Sequence, residues 1–134
     1  MTRYRFLFLL SILFALCGAV SAQPTMVFEQ TTQELGTLLW HTPRTASFKF
    51  TNKGTRDLTI LDVRTDCGCT NAEWTTTAIG PGSTGYIKAT YNADMLGHFN
   101  KGLAVYTNLD RQPHYLSLMG VVSMTNAEAT TEYP

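Results

Sequence analysis

"ASFKFTNKGTRDLTILDVRTDCGCT", Ala46 to Thr70, contains the features that decide the fold. Its first five residues alternate, with Ala46, Phe48 and Phe50 on one face and Ser47 and Lys49 on the other. A period of two carrying bulky aromatics describes a strand with one buried face. The "TNKGT" that follows is a turn signal. In "DLTILDVRT" the phase changes: Leu58 and Ile60 share one face, Leu61 and Val63 the other. Such a change predicts a bulge at Ile60–Leu61, or a strand that leaves one sheet for the other. Continued as an extended chain, the second phase runs through Thr65 to Cys67 and Cys69, with Gly68 free to bend between them. The cysteines are therefore expected at a strand end, near the rim of the core.

The same alternation recurs outward from this stretch. "GYIKATY" puts Ile87, Ala89 and Tyr91 against Lys88 and Thr90, and two later runs carry Leu103-Val105 and Leu116-Leu118. "IGPGST", "MLGHF" and "TNLDRQP" separate them as turns,. No stretch keeps a helical period. Short strands at regular turn spacing predict an all-β fold, an antiparallel two-sheet sandwich.

Ahead of this domain, Arg3 and Arg5 precede an apolar run from Phe6 to Cys17, and Val20-Ser21-Ala22 supplies a small-residue cleavage pattern. Residues 1–22 read as a signal peptide, because the run is shorter than the roughly 20 residues that span a bilayer. The alternative is a lipoprotein signal, with the chain anchored at Cys17, although Leu16 is bulky where lipidation favours a small residue. Residues 23–123 form the predicted domain and 124–134 a polar, disordered tail. Cleavage leaves 112 of the 134 residues, enough for one domain with its own core,. Export to the periplasm or cell surface is expected, with no membrane span in the mature chain. Eight Lys/Arg then face ten Asp/Glu with no basic run. Nucleic acid and anionic lipid are poor partners for that surface.

Cys67 and Cys69 admit several readings. They fit as small side chains filling a rim site. They also fit as a disulfide in an oxidising compartment, though a loop this short gives only about 1.5 kcal/mol of chain-entropy stabilisation. Strain in so close a bridge would ease its reduction, which favours a redox role. Asp66 opposes that role by disfavouring a thiolate next to it, and Arg64 offsets Asp66. Two thiolates are too few for zinc but suffice for Cu(I), with His98 a conceivable third ligand. No metal and no cofactor are expected. His41 and His114 lie beside prolines, where a lone loop histidine is usually solvated. Trp40 and Trp74 fit a recognition surface, but a tryptophan near such cysteines more commonly packs in the core.

Enzyme signatures are missing. There is no phosphate-binding loop ahead of a helix and no G-x-S-x-G, and Asp62, Asp66, Asp94 and Asp110 are scattered singly near turns,. A non-enzymatic chain is expected.

In order, Gly36, "FKFTNKG" (Phe48–Gly54), "DCGCT" (Asp66–Thr70), Trp74, "IGPGSTG" (Ile79–Gly85), "GHFNK" (Gly97–Lys101) and Asn108 resemble the bacterial family called domain of unknown function 1573. The likeness runs from about Phe28 to Val122. It implies an immunoglobulin-like sandwich of about seven strands, related to sperm-protein and pilus-chaperone architectures. It implies no activity, and it places Cys67 and Cys69 on the family's Cys-Gly-Cys position. Two functions follow as expectations: an envelope module that binds an unidentified envelope protein, or a small thiol/disulfide or Cu(I)-binding protein using Cys67 and Cys69.

Overall fold

Met26 to Ser123 folds into eight strands: β1 (Met26–Phe28), β2 (Thr32–Leu39), β3 (Arg44–Asn52), β4 (Ile60–Thr65), β5 (Thr70–Trp74), β6 (Thr84–Tyr91), β7 (Gly97–Thr107) and β8 (His114–Ser123). The computed structural model describes residues 24–125. The expected signal peptide, its cleavage site, Cys17 and most of the polar tail lie outside the described residues. Two four-stranded sheets form, in the orders β1-β3-β6-β5 and β2-β8-β7-β4. The all-β, immunoglobulin-like architecture is the one expected. The strand count exceeds seven because the first strand is divided. Three residues after Phe28 the chain has crossed to the second sheet, where β2 runs parallel to β8. Every other pairing is antiparallel.

Alternation builds the core as read. Phe48 and Phe50 of β3 and Ile87, Ala89 and Tyr91 of β6 are buried. Phe48 faces Ile87 across the ladder, and Phe50 faces Gly85. A Cβ at Gly85 would stand 2.6 Å from the Phe50 ring, so the glycine makes room for the phenylalanine. The opposing sheet contributes Leu103, Val105, Leu116 and Leu118, all buried. Each such side chain stabilises the fold by about 1.5–3 kcal/mol through apolar burial.

The stretch around Leu61 departs from the expected phase. The register does shift between Ile60 and Asp62, as a bulge requires,. Leu61, however, does not share a face with Val63: it is the extra residue and is 62% exposed, while Ile60 and Val63 are buried. The change of sheet comes later. β4 ends at Thr65 in one sheet and β5 begins at Thr70 in the other, so Asp66–Cys69 is the crossover. Because the chain stops being extended at Asp66, the cysteines do not continue the face of Val63 that the alternation predicts for them. Gly68 is not required by sterics either, since a Cβ there meets nothing within 4 Å.

Two polar clusters sit among these strands. Asn52, at the end of β3, is wholly buried. Its amide donates to Arg56 O and Ile79 O, both at 2.8 Å, and its side-chain oxygen accepts from Gly54 N–H at 2.9 Å. Asp110 accepts from Thr25, from Thr107 at 3.4 Å, and from His114 at 2.9 Å. Burial alone would raise the Asp110 pKa, but the Thr25 and His114 hydrogen bonds, His114's charge and the Thr107 hydrogen bond outweigh it and hold it below the usual carboxylate range,. A depressed folded pKa gives stability that is present above the unfolded value, about 3.9, and lost as pH falls through the folded one. Asp110→Asn is therefore expected to flatten the acid limb of a melting-temperature profile below about pH 4. An unchanged limb would show that Asp110 does not couple to folding.

Candidate protein-interaction site

One end of the sandwich brings together three connections: Trp40–Pro43 after β2, the Asp66–Cys69 crossover, and Asn92–Leu96 after β6. The geometry centres on Asp94. Its carboxylate lies 2.8 Å from His41 Nδ1 and accepts from Asn92 Nδ2 at 2.7 Å, while its backbone oxygen accepts from Trp40 Nε1 at 3.0 Å. The Asn92 side chain in turn accepts from Asp94 N–H at 3.2 Å. Backbone bonds close the arrangement, from His41 N–H to Ala93 O at 3.0 Å and from Asn92 N–H to Cys69 O at 3.0 Å. Charge at Asp94 also acts on its neighbour: burial first, and the Asp94 carboxylate second, hold the Tyr91 phenol above its ordinary pKa.

This network holds the backbone where ordinary residues seldom go. His41 has φ 59° and Ala93 φ 57°, both in the left-handed region. For residues with a Cβ this costs on the order of 1–3 kcal/mol each, and it persists only where the surroundings over-determine it. Around the locked turns sit uncovered apolar side chains: Met95 is 70% exposed, Leu96 50% and Trp40 37%. Leu39 and Met124 adjoin them, joined by the Trp40 N–H bond to Ser123 O. The Trp40 and His41 rings lie 3.9 Å apart. Asp94→Ala is expected to cost about 1–2 kcal/mol, the net worth of the lost hydrogen bonds. The Trp40 indole bonds the Asp94 backbone oxygen, which alanine keeps, so tryptophan emission should shift only through loosening of the turn that carries that oxygen. Unchanged emission would mean that the Asp94 carboxylate does not order the end.

The other residues marked in the sequence fall elsewhere or change role. Cys67 and Cys69 are joined as a disulfide across Gly68, their Cα atoms 5.2 Å apart, and both are half-buried. His98 is not with them. It lines a groove of about 570 Å³ on the outer face of β2, β7 and β8, with Glu34, Asn100, Met119 and Val121. Among the described residues no three His, Cys, Asp or Glu side chains are grouped to hold a metal ion. His41 and His114 are not simply solvated, since each meets an aspartate, Asp94 and Asp110. Those meetings with histidines were not read from the residues, because proximity across 53 residues and across a strand turn is invisible in linear sequence. Asp62 binds Arg64 at 3.0 Å, and the Arg64 guanidinium lies 4.8 Å from the Tyr106 ring centroid. Trp74 is partly buried against the core, whereas Trp40 is at the surface. Reading the residues missed Met95 and Leu96 as a surface. Their signal was two adjacent apolar residues inside the "MLGHF" turn.

Two facing sheets, a split first strand and a parallel β2–β8 pair define an immunoglobulin-like β-sandwich. The chain belongs to the family described as Protein of unknown function (DUF1573), which it matches over residues 26–122. No curated protein matches it. Among solved structures it resembles a protein of unknown function from Porphyromonas gingivalis W83, with 16% identity and TM-score 0.63, over 77% of this chain and 51% of that one. It also resembles the secreted serine protease VesC from Vibrio cholerae, with 15% identity and TM-score 0.58, over 75% of this chain and 23% of the protease. The ASH / PapD-like domain of human CEP192 matches with 9% identity and TM-score 0.57, over 77% of this chain and 90% of that domain. The chain thus spans about half of the Porphyromonas protein and about a quarter of VesC. At such identities the likeness is one of fold.

Proposed function

We propose that this chain is an exported, non-enzymatic module of the bacterial cell envelope that binds a partner protein through the end built on Asp94. The observation that carries this reading is the exposed set Trp40, Met95 and Leu96 on turns held in left-handed backbone. A rigid apolar surface binds at low entropic cost, because its ordering precedes the encounter. Tryptophan and methionine are side chains over-represented in protein contacts. The partner is a protein that offers a complementary apolar patch, with His41 and Asp94 at the polar rim. Likeness to PapD-like domains supports a protein ligand, as does the match to the YadV chaperone at 15% identity and TM-score 0.54. The n-region, apolar run and Val20-Ser21-Ala22 pattern support export.

A photo-crosslinking residue at Met95, in the full chain produced in a bacterium, tests the reading. A discrete adduct is expected from Met95 in the envelope fraction, lost when Leu96→Asp is added. A control at Ser47, on the outer face of β3, is expected to give none. Adducts of equal yield from Met95 and Ser47, or a chain retained in the cytoplasm with its first 22 residues, would overturn it.

A further inference from the structure

The crossover is tied at both ends by hydrogen bonds that do not involve its sulfurs. On the β4 side, Asp66 N–H donates to Gly102 O at 3.1 Å, and the Asp66 carboxylate accepts from Gly102 N–H at 2.7 Å. Gly102 is needed there, since a Cβ would lie 2.6 Å from that carboxylate. The Thr65 hydroxyl donates to Cys67 O at 3.0 Å. On the β5 side, Asn92 N–H donates to Cys69 O at 3.0 Å, and Thr70 enters the ladder opposite Tyr91. Each arm is therefore anchored to a different strand of a different sheet. Neither anchor passes through the S–S bond.

Neighbouring charges are engaged elsewhere. Asp66 holds Gly102, and Arg64 holds Asp62 beside Tyr106. Both cysteines are half-buried, but their surroundings differ: Cys69 packs against the hydrophobic core, whereas Cys67 lies beside the Thr70 hydroxyl, 4.0 Å from its Sγ.

We propose that Cys67–Cys69 is a thiol–disulfide exchange site, which accepts two electrons from an external dithiol while the sandwich stays folded. An incoming thiolate attacks Cys67 Sγ, the S–S bond breaks, and its electron pair leaves on Cys69 Sγ, which takes a proton from water. The reductant's second thiolate then attacks its own sulfur in the mixed disulfide and releases Cys67 as a thiolate beside the Thr70 hydroxyl. That thiolate too is protonated. The external dithiol ends as a disulfide and the chain as two thiols. The reverse exchange, with an external disulfide as oxidant, restores the bond, and the anchored arms keep the two thiols positioned for it. The site acts independently of the partner-binding reading, because it uses no residue of the apolar surface.

The test uses the full chain, with peptide mapping to follow Cys17 separately. Brief dithiothreitol treatment in native buffer is expected to expose both Cys67 and Cys69 to alkylation, with the far-UV circular dichroism unchanged. The melting temperature should fall by roughly 10 °C or less, since so short a loop constrains the unfolded chain little. Glutathione, a monothiol, should leave its adduct on Cys67 and a free thiol on Cys69. Oxidised dithiothreitol should close the bond again. Labelling that needs denaturant, loss of the β signal on reduction, or adducts divided equally between the cysteines would overturn the proposal. So would thiols that never close. Cys67→Ser combined with Cys69→Ser provides a separate check: a variant that does not fold makes the pair a staple, and the proposal fails.

Discussion

Phe48→Ala is expected to lower the unfolding free energy by about 3–5 kcal/mol. Phe48 is 1% exposed, sits mid-strand in β3 and faces Ile87 across the ladder. Strands β1 and β6 flank β3, so the sheet has little freedom to collapse onto a void. Truncation removes the transfer free energy of the ring and leaves a cavity besides. Domains of this size are stable by only about 5–15 kcal/mol, so a large share of the total is lost. Urea denaturation of the parent and the variant measures it. A midpoint shift equivalent to less than about 1 kcal/mol would mean that this face of β3 is not the core face. Lys49→Ala, on the opposite face, is the internal control. Its ion pair with Glu29 is more than half exposed on both sides, and pairs of that kind contribute little,.

Asn52→Ala is the second large effect, expected at about 2–4 kcal/mol. The side chain is buried, and no polar residue in the domain is more completely enclosed. It ties the turn after β3 to Ile79, in the connection between β5 and β6, through Arg56 O, Ile79 O and Gly54 N–H. Alanine leaves the Arg56 carbonyl and the Gly54 N–H, both part-buried, without their partner, and takes one of two donors from Ile79 O, which keeps Leu58 N–H. An orphaned buried group costs about 1–3 kcal/mol. The backbone of Asn52 contributes further, bonding Ser83 and Gly82, so the turn cannot simply move away to water. Asn52→Asp separates hydrogen bonding from volume. It keeps the acceptor for Gly54 but points a carboxylate at two carbonyl oxygens, so it too is expected to lose several kcal/mol. Thermal and chemical melts that place either variant within about 1 kcal/mol of the parent would show that the turn is held by packing instead.

The same two residues show why one part of the protein was legible in its sequence and another was not. Phe48 announces itself, because burial of one face of a strand imposes a period of two on neighbouring residues. Asn52 follows the same alternation, yet its chemistry is that of a turn residue. Only the chain 27 residues away, at Ile79, shows what its amide bonds. Leu61 shows the converse. Its hydrophobicity argued for the interior, but a bulge turns it out, and one inserted residue reverses the face of everything that follows,.

By itself, then, the amino-acid sequence determined the all-β class, the faces of β3, β6, β7 and β8, the turns between them and the family. Each of these is written in local alternation, or in the order of short motifs along one chain. Tertiary structure alone decided that β1 and β2 divide between sheets, that the Cys-Gly-Cys segment is the crossover, and that Asp94 gathers Trp40, His41 and Asn92 at one end. Those contacts join residues far apart in the chain, and their energies depend on distance in space, which no local pattern of residues encodes.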